Sequence, residues 1–393
     1  MKRFSLSLFA LLLMTSLVGC GGSSVSLPES AITEDCFAIQ WVDTKSLTPD
    51  MAKDMIRGVA DDMSDDQPQA RLLMSATADM VESRYQDRWE TFTDAGGLGF
   101  LQLHYMLEKK GEGEDAEPTT HYRTYVLVRV KKGTDAKDLE EAIKDFAAED
   151  NGNRAENDVK LEKVDGEDEW YWLTTEGRTE GFKLPEDGDE DTFKAFKKLV
   201  GDAGGAPAYM VWRTHEKLIE SAQKQLDDDD ADHTDDQEAR LKEIVHLESV
   251  AMYVTAGSSP KVVVTVNFDD KEFAQSFADE HNDGLSQRRA GLKIALSKAE
   301  NPPHPSVIDR LVDTMEVKPS GNSVSITMNS GNVHDGVAIQ ASVVNGNAPN
   351  TTSPGTIFTQ VRSAGWSNLH IPRMPGPMDV FEISFNDPSG RDR

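Results

Sequence analysis

The chain is poor in cysteine, in positive charge and in the residue groupings that catalysis and metal binding use. Two cysteines, Cys20 and Cys36, stand in 393 residues, too few for the disulfide framework that stabilises small secreted domains. Lys and Arg number 41 against 69 Asp and Glu, a formal charge of −28. A surface of that sign repels nucleic acid and anionic lipid headgroups, so no nucleic-acid partner is expected. The nine histidines, at 104, 121, 215, 233, 246, 281, 304, 334 and 370, include no i, i+4 pair, the spacing that binds zinc from one face of a helix. His215-Glu216 opens like H-E-x-x-H, but Ile219 stands where the second ligand belongs. His215 reads as a helix start.

Other motifs are missing too. There is no G-x-S-x-G elbow and no phosphate-binding G-x-x-x-x-G-K-[ST], and Gly96-Gly97-Leu98-Gly99 lacks the last glycine of a dinucleotide fingerprint. Asp187, Asp189 and Asp191 take positions 1, 3 and 5 of an EF-hand loop, yet Thr192 replaces the glycine and Lys198 the closing glutamate. The run Asp227 to Asp230 with Asp232, Asp235 and Asp236 reads as a solvated loop. No metal and no cofactor is expected, and no residue is singled out as catalytic.

What is present begins at the N-terminus. Lys2 and Arg3 precede an apolar run from Phe4 to Val18, which ends in small residues before Cys20. A spanning helix needs about 20 apolar residues, and this run is shorter and broken by Ser5, Ser7, Thr15 and Ser16. Residues 1–19 therefore read as a signal peptide. Leu17-Val18-Gly19-Cys20 resembles the lipobox of bacterial lipoproteins. That resemblance implies cleavage before Cys20 and lipidation of Cys20 through a diacylglyceryl thioether, with palmitate-type chains. Several acyl chains together make a stable anchor, at about 0.8 kcal/mol per buried CH₂. The membrane is thus one expected partner, reached through N-terminal acyl chains. In the family, a residue such as Gly21 after the cysteine favours the outer membrane of a two-membrane cell. Loss of Lys2 and Arg3 with the signal takes the formal charge from −28 to −30.

With Cys20 acylated, Cys36 is the one remaining thiol and no internal disulfide forms. It precedes Phe37, Ala38 and Ile39 and follows Glu34 and Asp35. That setting suits a small buried residue rather than a reactive thiol, which needs basic neighbours.

Beyond the signal the chain repeats itself. "CFAIQWVDT" and "APAYMVWRT" each place a tryptophan, Trp41 and Trp212, near the end of an apolar run that closes on threonine. A helical spacing follows each: Met51, Met55, Ile56 and Val59, then Leu218, Ile219, Ala222 and Leu226. Next come two hairpins, 100–107 with 122–130 and 250–255 with 261–268. Helices follow, with Thr134 or Asp135 and Asp269 or Asp270 as N-cap candidates. Closing strands stand at 169–175 and 323–328, and further helices are expected at 70–92, 236–247 and 285–315. Strand, helix, strand, strand, helix, strand in both halves predicts an α+β fold of two tandem ferredoxin-like (βαββαβ) modules with helical insertions.

The expected organisation is a lipidated Cys20 on a flexible tether to residue 30, a first module over 31–175, an acidic linker at 176–192 and a second module over 193–330. A C-terminal tail, 331–393, is rich in Gly, Asn, Ser and Pro with short strands at 337–344, 356–361 and 380–385. Trp170 and Trp172 alternate onto one strand face, where they serve as core or as a stacking platform. The functional expectation is a lipid-anchored envelope protein with a non-enzymatic binding or structural role and an envelope protein, peptide or glycan as partner. The alternatives are an envelope hydrolase with a dispersed site where the modules meet, and a carrier of an apolar ligand.

Overall fold

A computed structural model describes residues 26–45, 48–50, 86–109, 119–148, 159–175, 187–203, 208–227, 234–254, 261–297, 305–313 and 316–329, with single positions at 53, 57, 75, 76, 78, 79, 184, 185 and 206. Cys20, Met51, Met55, Ile56, Val59, most of the 176–189 stretch and the tail from 330 lie outside the described residues. Ten strands form the frame: β1 (Cys36–Asp43), β2 (Gly97–Lys109), β3 (Thr119–Val130), β4 (Val159–Lys163), β5 (Trp170–Thr175), β6 (Ala208–Arg213), β7 (Leu247–Val254), β8 (Lys261–Phe268), β9 (Lys318–Ser320) and β10 (Ser323–Asn329). Between them run α1 (Ala136–Ala148), α2 (Glu190–Asp202), α3 (Glu216–Leu226), α4 (Asp235–His246), α5 (Lys271–Asp283), α6 (Leu285–Leu296) and α7 (Pro305–Asp313). Residues 86–94 are also helical.

The protein is α+β, and its strands join into one open antiparallel sheet in the order β4-β5-β3-β2-β1-β6-β7-β8-β10-β9. That order departs from the ferredoxin-like expectation, which puts the first strand of each half in its interior. Here β1 pairs with β2 on one side and with β6 on the other. The reason is parity. One helix between two strands returns the chain to run parallel, whereas a helix pair returns it antiparallel. The pair α3 and α4 stands between β6 and β7, so β7 lies antiparallel against β6. The single α1 after β3, and the three helices after β8, bring β4 and β9 back parallel to them, with β5 and β10 between. Only that part of each half is a split βαβ. The expected helix over 285–315 is two, α6 and α7.

Three backbone hydrogen bonds outside the strand ladders recur in both halves. Both second strands open on a bulge, at Gly97/Gly99 and at Leu247/Ser249. Thr44 N–H donates to Leu98 O as Thr214 N–H does to Glu248 O. Lys131 N–H donates to Gly96 O as Asp269 N–H does to His246 O, and Val130 to Glu169 as Phe268 to Asn322. This alignment equates Thr44 with Thr214. It does not equate the tryptophans: Trp41 falls on Val211, and Trp212 on Val42. A one-residue slip puts a side chain on the other face of a sheet. Trp41 accordingly joins the main core, while Trp212 packs on the opposite face beside Phe37, Ala38 and Met106.

The two sheet faces are built differently. One face carries the row Trp41, Leu101, Leu127 and Trp172, covered by Phe196, Leu199 and Val200 of α2 and by Leu27, Ala31 and Ile32. Thus α2 packs on the first half, although it lies beyond the expected linker, and the expected tether is packed at its end through Leu27, Ala31 and Ile32 rather than free. The equivalent row of the second half is Val211, Ala251, Thr265 and Ser325, small and half of it polar. Beside it Asn267 donates to Ser249 and accepts from Ser323. The other face is apolar in both halves: Leu139 and Ile143 of α1 pack on Val128 and Val130, and Ala274 and Ala278 of α5 on Val266 and Phe268. Each fully buried Leu, Val or Phe contributes about 1.5–3 kcal/mol. Asp135 and Asp270 cap α1 and α5 through backbone N–H groups at Lys137, Glu272 and Phe273.

Candidate functional site

A cleft of about 410 Å³ opens on the aromatic face of the first half. Its construction starts with the segment before β1. Leu27, Ala31 and Ile32 are buried, and the segment is tied to the β4–β5 turn by Glu29 N–H to Glu167 Oε1 at 3.0 Å and Ser30 Oγ–H to Asp165 O at 2.7 Å. The Tyr105 hydroxyl donates to Ala31 O from β2. The strap at residues 187–189 then crosses the same segment, and Asp189 N–H donates to Ile32 O at 2.8 Å. Gly188 permits the crossing, because a Cβ there would stand 2.2 Å from Glu29 O. Asp189 finally caps α2, its carboxylate accepting from Thr192 N–H at 2.7 Å.

Between segment and strap, the cleft is lined by Thr33, Glu34 and Asp35 on one side and by Pro185, Asp187, Gly188 and Asp189 on the other. Tyr105, Leu107 and Tyr125 contribute from β2 and β3. The tyrosine rings meet edge to face at 5.4 Å, and Tyr125 meets Trp172 likewise at 5.8 Å. Burial raises both phenol pKa values, so both stay neutral and keep their protons. The Tyr125 hydroxyl oxygen is buried and has no hydrogen-bond partner, a state that costs about 1–3 kcal/mol for a buried polar group.

Asp35 joins the cleft to the meeting point of the halves. Its Oδ1 lies 3.7 Å from Lys217 Nζ and 4.0 Å from His215 Nε2. His215 is the N-cap of α3 and accepts from Lys217 N–H through Nδ1 at 3.2 Å. Burial, then the Lys217 charge, lowers its pKa, so the ring is neutral and carries its proton on Nε2. That proton faces Asp35, and Nε2 has no hydrogen-bond partner. The Thr192 hydrogen bonds hold the Asp189 carboxyl below its ordinary range.

The residues singled out from sequence fall in several places. Cys20 is outside the described residues. Cys36 is fully buried, its Sγ 3.7 Å from Ala38 O, and burial pushes its thiol up, which leaves it a poor nucleophile. Asp187, Asp189 and Asp191 divide between cleft, cap and first turn of α2 and do not converge as a loop around an ion. Trp170 and Trp172 are buried in the core, Trp170 edge-on to Trp41 at 5.9 Å. His104 is buried and bonded to Thr124 Oγ1, and His246 lies 2.9 Å from Asp269. Among the described residues, no group of three or more His, Cys, Asp or Glu could hold a metal ion, and no helix is long and apolar enough to cross a membrane. Tyr105 and Tyr125 went unnoticed in the sequence because both sit in plain alternating strands. The chain matches no protein-family model, no curated protein and no solved structure.

Proposed function

We propose that the chain is a lipid-anchored bacterial envelope protein with a non-enzymatic, binding role, and that the acidic tyrosine cleft is its binding site. The lipobox-like Leu17-Val18-Gly19-Cys20 supports the anchor. The observation that carries the binding role is the cleft itself, an open concavity whose walls hold four carboxylates and a phenol without a hydrogen-bond partner. Asp35 and His215 do approach each other where the halves meet, as a dispersed hydrolase site requires. However, the thiol nearest to them, Cys36, is buried and its pKa raised, which removes it as the nucleophile of such a site. The acidic lining likewise speaks against an apolar cargo.

Anchor and cleft are close along the chain. Leu27 is packed, and six residues separate it from Cys20, seven steps along the chain with a reach of about 24 Å when fully extended. The cleft therefore works near the lipid surface, in the outer membrane by the lipobox reading. The shared strand order and hydrogen bonds of the halves support a duplicated ancestor, of which a split βαβ unit is one part.

Cys20→Ser with cell fractionation tests the anchor: the variant is expected in the soluble fraction, and its retention on the membrane would contradict the reading. For the binding role, cross-linking in detergent-solubilised envelope is compared between the native chain and Glu34→Gln/Asp187→Asn. A partner captured by the first and lost from the second is the expected result. Equal capture by both refutes the assignment of the cleft.

A further inference from the structure

We infer that the cleft takes an organic cation, an ammonium or guanidinium group, held between carboxylates and the face of a tyrosine. This rests on the binding reading above and specifies its ligand. Among the described residues, the charged groups that line the cleft are all acidic: Glu34, Asp35, Asp187 and Asp189. Two of them are already engaged. Asp189 caps α2, and Asp35 faces Lys217 and the proton of His215. Glu34 and Asp187 are exposed at the mouth, in position to meet an incoming charge. The basic side chains nearby, Arg123, Arg213 and Lys217, do not line the cleft.

Three further features fit the same ligand. A tyrosine ring attracts a cation over its face, and of the two tyrosines at the cleft Tyr125 is the partly exposed one, with Tyr105 buried behind it. The partnerless Tyr125 hydroxyl oxygen accepts a hydrogen bond, which an N–H of an ammonium or guanidinium supplies and a hydrocarbon does not. Beneath Asp35, His215 is only 5% exposed and its Nε2–H is likewise without a partner. That buried donor faces Asp35 from behind the cleft wall.

Comparison of the halves separates this feature from the needs of the fold. By the shared register, Tyr125 of β3 corresponds to Val263 of β8. The sheet is built equally well with an aliphatic residue at that position, so the phenol is specific to the half that has the cleft. A volume of about 410 Å³ is within the range of about 300–1,000 Å³ typical of small-ligand sites.

The cation can belong to a free small molecule or to a lysine or arginine side chain of a partner, and the experiment distinguishes these. The acylated full-length mature chain, in detergent, is titrated calorimetrically with spermidine, with agmatine and with an acetylated, amidated Lys-Lys-Lys peptide at fixed ionic strength. One saturable site is expected. Glu34→Gln/Asp187→Asn should weaken it at least tenfold and Tyr125→Phe at least threefold, while the remote control Asp279→Asn/Glu280→Gln leaves it unchanged. Tenfold tighter binding of the peptide over spermidine assigns the cation to a partner chain, and the reverse assigns it to a free amine. Equal weakening by the remote control would mean diffuse attraction to an acidic surface and would overturn the inference, as would no saturable heat with any probe. If the cross-linked partner is still lost from Glu34→Gln/Asp187→Asn while no cation binds, the ligand class fails and the binding role stands.

Discussion

Trp41 on β1 and Trp170 on β5 touch edge to face with ring centroids 5.9 Å apart, although β2 and β3 lie between their strands. The contact reaches over the sheet under α2 and ties the first half together across its width. Replacing either ring by alanine is expected to cost about 3–5 kcal/mol, read from urea unfolding. The double variant should cost less than the sum, because the two rings share one contact. Trp212→Ala, on the other face and only partly buried, should cost less than Trp41→Ala. Equal costs would contradict the one-residue offset between the two tryptophans.

Acid should destabilise the fold through buried histidines. Burial lowers the His104 pKa from the ordinary 6.5 to about 4, and His215 shifts in the same direction. Between about pH 6.5 and 4 the unfolded chain binds protons at these sites that the folded chain does not. Stability is therefore fully present above 6.5 and falls as pH drops towards 4. For His104 the loss is on the order of 3 kcal/mol. His104→Gln should flatten the unfolding free energy over that window, and an unchanged pH profile in the variant would refute the assignment.

Cys36 should be silent to thiol reagents in the native protein. It is fully buried with a raised pKa, so alkylation requires opening of the sheet. In a chain whose Cys20 is acylated or replaced by serine, labelling by iodoacetamide should track global unfolding in urea. Fast labelling in buffer would mean that β1 opens locally.

Gly188→Ala tests the strap. A methyl group at 2.2 Å from Glu29 O has to push the two backbones apart, at a cost of about 1–3 kcal/mol. The Asp189 N–H bond to Ile32 O should weaken, seen as faster amide exchange at Asp189, and the cleft should lose its outer wall. Unchanged exchange would show that the strap yields without leaving its place.

Most strands and helices were legible because their spacing is regular. Lys261–Phe268 keeps its expected ends, and Asp135 and Asp270 cap the helices they precede. The strand order was not legible, because it depends on how many helices stand between two strands, and that number changes the direction of return. β4 and β9 were missed because VKLEK is short and charged, and KPS offers no alternation at all. The tryptophan match misled by one residue; Thr44 and Thr214, each at the end of its strand, mark the true correspondence. The cleft could not be read locally either. Glu34, Tyr105, Tyr125 and Asp187 come from four distant stretches that meet only when the 187–189 strap crosses the segment before β1.

The β1–β6 pairing makes the peptide linker between the halves redundant. A single cut within residues 176–183 would leave β6 bonded to β1 from Ala38 opposite Trp212 to Val42 opposite Ala208. It would also leave α2, carried by the second fragment, clasped over the aromatic core of the first. The two pieces would hold as a non-covalent heterodimer. Ten strands at about 4.8 Å spacing make one continuous hydrogen-bonded sheet about 43 Å across, so the two fragments would stay joined through its middle.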